Sequence, residues 1–294
     1  MPLSTRRRNS GRRRSRRKTD STRAKVHAGW TFFGRILPER IALHLGGQPF
    51  YWTSAALGFR YRATIQIADA HFVVRADIES GPDDVFTLKN LVEGNVRLVT
   101  DYIGYLDGLF FDVDMISAAC DDGRGIVFGK AIPILHKPKS PEKPGFLDPE
   151  RYIPVLRDPY AHVALADFRE AMRIPVGTGF FCYRAIEAMM QSMKATSTDR
   201  DSAAWGTLRQ RLQIDRPTID MIKGHSDYPR HGRPFSITDA DRKTIFVLTD
   251  EIIRRYFEYL RRGKTPLPSS EFPVLTSTHD IEHIAGAATA DFNE

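Results

Sequence analysis

Cysteine is scarce in this chain: 294 residues hold two, Cys120 and Cys182. They fit no metal-ligand spacing, and each stands in an apolar context, which reads as two buried free thiols rather than a bridge. Long apolar runs are missing as well. None approaches the ~20 residues of a membrane helix, and no apolar secretory segment follows the start. The expected setting is the reducing cytoplasm, with no membrane partner. No glycine-rich loop follows a strand in the manner of a phosphate cradle, and no paired carboxylates stand in a persuasive context. No cofactor and no metal are expected.

Positive charge is also lacking over most of the chain, despite a net charge of +7. Residues 1–25 hold nine Arg and two Lys against one acid, Asp20, so this stretch carries +10 and the remaining chain 7 − 10 = −3. Any argument from charge for nucleic acid therefore belongs to the N-terminal run. Arg6, Arg7, Arg8, Arg12, Arg13, Arg14, Arg16, Arg17 and Lys18 stand there without apolar periodicity. Such a run is expected to be disordered when free and to condense on phosphates by counterion release. A solvated tail or a misassigned upstream start accounts for it equally well.

What is present from residue 26 to 136 reads as an α+β domain. Ile41, Leu43 and Leu45 alternate with polar neighbours before a Gly46-Gly47 turn. Phe59, Tyr61, Ala63, Ile65 and Ile67 give the cleanest period-two pattern, a strand with one buried face. Arg60 and Arg62 lie on its other face, where solvent explains them. Phe72–Glu79 continues the antiparallel meander. A long helix follows, to about Leu106, with Leu88, Leu91, Val92, Val96, Val99, Ile103 and Leu106 as its apolar stripe. Leu109–Ala119 and Gly125–Leu135 read as a hairpin around Asp121-Asp-Gly-Arg-Gly125.

A proline-punctuated linker covers 137–151. Beyond it, 152–263 reads as an antiparallel helical bundle, and 264–294 as a flexible tail. The helix Gly179–Met193, capped by Thr178, is apolar almost all round and belongs in the bundle's centre. Its charges before Lys194 are Arg184 and Glu187. Thr238-Asp-Ala-Asp241 looks like a capping box for a last helix that ends at Arg262.

Asp227-Tyr-Pro-Arg-His-Gly-Arg-Pro-Phe-Ser-Ile-Thr-Asp-Ala-Asp241 is the one long connection in the bundle rich in ionisable side chains. Together with Phe181-Cys-Tyr-Arg-Ala-Ile-Glu-Ala188 on the central helix and Ile237-Thr-Asp-Ala-Asp-Arg242, it gives residues 158–262 a resemblance to HEPN-like domains. These are antiparallel helical bundles of prokaryotic conflict and RNA-processing systems. The resemblance implies metal-independent ribonuclease chemistry in active members. An Arg steadies the phosphate and a His four to six residues later moves a proton of the 2′-hydroxyl.

Here Arg230 and His231 are adjacent and cannot share a helical face. The spacing itself occurs as Arg157…His162, where Asp158-Pro159 also reads as a helix start. Arg230 has a structural role open to it, pairing with Glu187 to pin the loop onto the bundle. His279-Asp-Ile-Glu-His283 has the spacing of a zinc helix without a helical setting or a further ligand, and is read as chance.

The expectation is a non-catalytic or degenerate HEPN-like protein that binds RNA or a partner protein in a bacterial conflict or regulatory system. Two alternatives stand beside it. One is an active ribonuclease using His231 or His162 with a nearby Arg; the other is a scaffold with no nucleic-acid role. A homodimer is compatible with each.

Overall fold

The computed structural model describes residues 29–40, 43–129, 133–135, 149–233 and 235–278. The Arg-rich run, the linker from 137 to 148 and the His279–His283 pattern lie outside them. The described chain is α+β: an antiparallel sheet with one long helix, followed by a helical bundle.

Six strands make one sheet. They are β1 (Trp30–Leu37), β2 (Leu45–Ser54), β3 (Phe59–Ala68), β4 (His71–Ser80), β5 (Asp112–Cys120) and β6 (Gly125–Val127), in the spatial order β2-β3-β4-β1-β5-β6. Alternation sorts the residues: Phe59, Tyr61, Ala63, Ile65 and Ile67 of β3 are buried, while Arg60 and Arg62 face solvent. Arg62 pairs with Asp77 of β4 at 3.1 Å. The buried face is covered by α1 (Val85–Asp107), whose first turn is capped by Asp84 accepting from the Phe86 and Thr87 amides.

Three sequence expectations change here. Gly46 and Gly47 lie inside β2 rather than in a turn. Between Leu45 and Gln48 the strand advances three residues while β3 moves two, and the glycines absorb that bulge. The second hairpin strand is only Gly125–Val127, and Pro133–Leu135 is a short 3-10 turn. Leu106 is 62% exposed instead of buried. The sheet beneath α1 ends before that turn, and the last buried position of the helix is Gly104.

The bundle comprises α2 (Pro149–Leu156), α3 (Pro159–Arg173), α4 (Thr178–Gln191), α5 (Asp201–Leu212), α6 (Arg216–Gly224), α7 (Asp227–Arg230) and α8 (Asp239–Arg261). The linker expectation thus runs three residues too far, since 149–151 already belong to α2. The apolar helix α4 is central, with Cys182, Ala185, Ile186 and Met189 fully buried. Burial pushes the Cys182 thiol up to about 12, so it stays a neutral packing group. Thr178 does not cap α4. Its hydroxyl donates towards the Ala171 and Pro175 carbonyls and accepts from Arg242 Nε at 2.9 Å, inside the core.

Residues 264–278 are no loose tail. Leu267, Phe272 and Leu275 are buried, and Leu275 pairs in parallel with Ile214. The buried Arg255 guanidinium donates to the Pro273 carbonyl at 2.9 Å and to the Leu212 carbonyl at 3.1 Å. Phe272 sits among the guanidinium groups of Arg254, Arg255 and Arg262, each within 6 Å of its ring centre. The polar look of this segment hides its anchors, three apolar side chains spaced too irregularly to show a period.

The two halves touch. Asp112 of β5 binds Arg173 at 2.8 Å, Arg97 of α1 donates to the Arg173 carbonyl, and the Asp239 amide donates to the Thr87 hydroxyl at 2.8 Å.

Candidate functional site

The cationic loop is built on α7, a single turn held against α4. A Cβ at Gly179 would stand 2.6 Å from the His225 carbonyl oxygen, so α4 and the turn before α7 meet closely because that side chain is missing. Arg230 Nη1 donates to Glu187 Oε1 at 3.2 Å. The pair is not buried: the side chains are 46% and 27% exposed. It ties the loop to the bundle at a low energetic return. Behind it, Tyr183 stacks on Trp205 at 5.8 Å, and burial pushes its phenol up to about 12. His231 follows α7 and is exposed. Arg230, turned to Glu187, and His231 do not converge on a common point.

Arg157 and His162 are exposed at the start of α3. His162 Nε2 lies 2.7 Å from the Leu156 carbonyl. Between them Asp158 is buried. It accepts from the Ala161 amide at 2.9 Å and from the Tyr256 hydroxyl at 3.0 Å. This segment starts a helix and fastens it to α8. Arg184, the second charge of α4, binds Asp167 at 3.3 Å, and burial raises the Asp167 carboxyl. Among the described residues, no group of three His, Cys, Asp or Glu side chains could hold a metal.

The loop instead contributes to a cleft of about 480 Å³ between the two halves. Trp52, Ser54 and Ala56 line it from the end of β2 and the turn beyond; Val176, Arg233 and Phe235 line it from the bundle. Its size suits a small ligand or one residue of a polymer. Gly232, at φ +67°, turns the chain so that the Arg233 guanidinium lies over the Tyr228 ring at 5.8 Å. Tyr228 and Phe235 stack at 6.1 Å and His225 meets the edge of Phe235 at 6.2 Å, which fixes the aromatic wall. Across the cleft Ser54 is 6% exposed, and its hydroxyl has no hydrogen-bond partner. Among the described residues, no histidine or carboxylate lines the cleft. It can hold a planar or anionic group.

Residues 30–128 match the family model described as the N-terminal domain of a domain of unknown function, DUF8168, and residues 151–261 match the C-terminal domain of the same family. Both DUF8168 domains are matched, in order. No curated protein and no solved structure shows a significant match. Trp52 and Ser54 belong to the N-terminal DUF8168 domain, and Val176 and Arg233 to the C-terminal one, so the cleft needs both. The packed segment 264–278 extends beyond the C-terminal DUF8168 match.

Sequence reasoning singled out the loop that carries Arg233 and Phe235. It missed Trp52 and Ser54. These stand on a strand far away along the chain, where no local pattern marks them as anything but strand residues. Among the described residues, no helix is long and apolar enough to cross a membrane.

Proposed function

We propose that the protein is a non-catalytic, HEPN-like RNA-binding protein, in which the inter-domain cleft receives an unpaired base and the Arg-rich N-terminal run supplies sequence-independent phosphate attraction. The cleft carries this reading. It joins Arg233 to two aromatic side chains, Trp52 and Phe235, and among the described residues its lining holds no histidine or carboxylate. Aromatic and guanidinium planes are the usual platforms for splayed-out bases.

Ribonuclease chemistry has less support. Arg230 is engaged by Glu187, and the Arg157…His162 spacing stands at an exposed helix start where His162 already meets a carbonyl. The HEPN-like reading rests on the resemblance and on an antiparallel bundle whose central helix meets the loop before the last helix.

Binding of a short single-stranded RNA, compared between the full chain and a chain lacking residues 1–25, tests the proposal. Retained binding with a shallower salt dependence is expected, since fewer phosphates are then neutralised. Complete loss of binding would assign it all to the Arg-rich run. Incubation of both proteins with the RNA in EDTA checks the non-catalytic part, and cleavage that disappears in His231→Ala or His162→Ala would overturn it.

A further inference from the structure

The last turns of α1 carry apolar side chains that no described residue covers. Leu98, Tyr102, Tyr105 and Leu106 are 58%, 64%, 82% and 62% exposed, and the turn beyond adds Leu109 at 41% and Phe110 at 82%. With about 200 Å² for each large side chain, the exposed fractions amount to roughly 800 Å² of surface. The largest apolar patch on an ordinary monomer is about 300–600 Å². One partner's share of a standard protein interface is about 800 Å².

Gly94, Leu98, Tyr102 and Leu106 form one row at four-residue steps, the kind of ridge that packs into the grooves of a second helix. Nothing lies within 4 Å of where a Gly94 side chain would begin, so no neighbour in the described chain accounts for a glycine inside this helix. None of the four residues is charged. Arg97 beside them is held by Glu93 and Asp112 at 2.9 and 2.6 Å.

We propose that this row is the interface of a homodimer, with α1 packed antiparallel on α1 of a second copy. The row is self-complementary about its midpoint, as a two-fold contact requires. Leu98 then meets Tyr102 of the other copy, and the bare surface at Gly94 receives Leu106. With Tyr105, Leu109 and Phe110 beside the row, the exposed apolar area matches one partner's share of a standard interface, and the small residue stands where the two-fold places a large one.

Mass measurement of the full chain in solution, by light scattering across a concentration series, tests this. The wild type is expected at twice 33.4 kDa. Leu106→Glu places a charge against the apolar row and is expected to weaken the dimer by about 100-fold or more, with unchanged far-UV circular dichroism. Cys120 and Cys182 are buried, so the double variant Leu98→Cys with Tyr102→Cys adds accessible thiols that face each other across the two-fold. It is expected to give a disulfide-linked dimer on mild oxidation, while Gln210→Cys on α5 is not. A wild type that stays monomeric overturns the proposal. So does a dimer that persists in Leu106→Glu, which would place the interface on another face. A monomer whose melting temperature drops in Leu106→Glu also overturns it, since another segment of the same chain would then cover the row.

Discussion

Replacing Arg255 by methionine should cost the bundle about 3 kcal/mol. The guanidinium is 5% exposed and donates to Glu251 Oε1 at 2.7 Å, to the carbonyls of Leu212 and Gln213, and to the Pro273 carbonyl. It joins the last helix, the end of α5 and the returning segment in one node. Removing one member of a buried ion pair costs about 3–5 kcal/mol, most of it from the charge left behind. Glu251 is not stranded, because Arg254 contacts both of its oxygens at 2.7 Å. The Gln213 carbonyl keeps the Leu275 amide at 2.9 Å. Both facts place the loss at the lower end of the range.

For a body of this size that corresponds to a fall in Tm of roughly 6–12 °C. Arg255→Lys keeps the charge but not the planar fork, so its loss should be intermediate. Thermal and urea denaturation of the three proteins measure it. A change below about 1 kcal/mol in Arg255→Met would refute the view that this node holds residues 264–278 in place.

Other outcomes follow from the same structure. Phe272→Ala removes a buried ring surrounded by three guanidinium groups; about 3 kcal/mol of local stability should go, read as faster protease cleavage within 264–278. The Glu187–Arg230 pair is half-exposed, so a double-mutant cycle with Glu187→Gln and Arg230→Gln should give a coupling of about 0.2–1 kcal/mol; a coupling above about 2 kcal/mol would mean that the loop depends on it far more than its exposure suggests. Arginine partners hold the Glu258 carboxyl down to about 2, and Arg254 and Arg255 hold Glu251 below the usual carboxylate range against the opposing effect of burial. Groups depressed on folding stabilise above their unfolded pKa, and this contribution is lost as pH falls. Melting temperature should therefore drop from about pH 4.5 downward, and Glu258→Gln should flatten part of that slope.

The legible parts of this chain were those where burial and period coincide. β3 alternates because one face lies under α1, and α4 is apolar almost all round because it stands at the centre of the bundle, with Arg184 and Glu187 on its open edge. The Thr238 cap and the Asp158-Pro159 helix start are local chemistry and were equally visible. Errors fell where a distant contact decides the outcome. Gly46-Gly47 looks like a turn until β3 supplies the register, and Leu106 keeps the helical period although the sheet below it has ended. Leu267, Phe272 and Leu275 have no period because they fill separate notches around Arg255. The cleft was half legible: its loop announced itself by charge and proline, whereas Trp52 and Ser54 reach it only through the docking of the two halves.

The most direct test of the proposed function compares RNA affinity at physiological salt for the chain lacking residues 1–25, with and without Trp52→Ala and Arg233→Ala. One stacked base contributes about 1–3 kcal/mol, so each substitution should weaken binding by about 10- to 100-fold; Arg233→Ala should leave Tm nearly unchanged, whereas Trp52→Ala should lower it, because Trp52 also packs against the core of the sheet domain. Affinity that is undetectable in the parent, or indifferent to both substitutions, would contradict the assignment of this cleft as an RNA site.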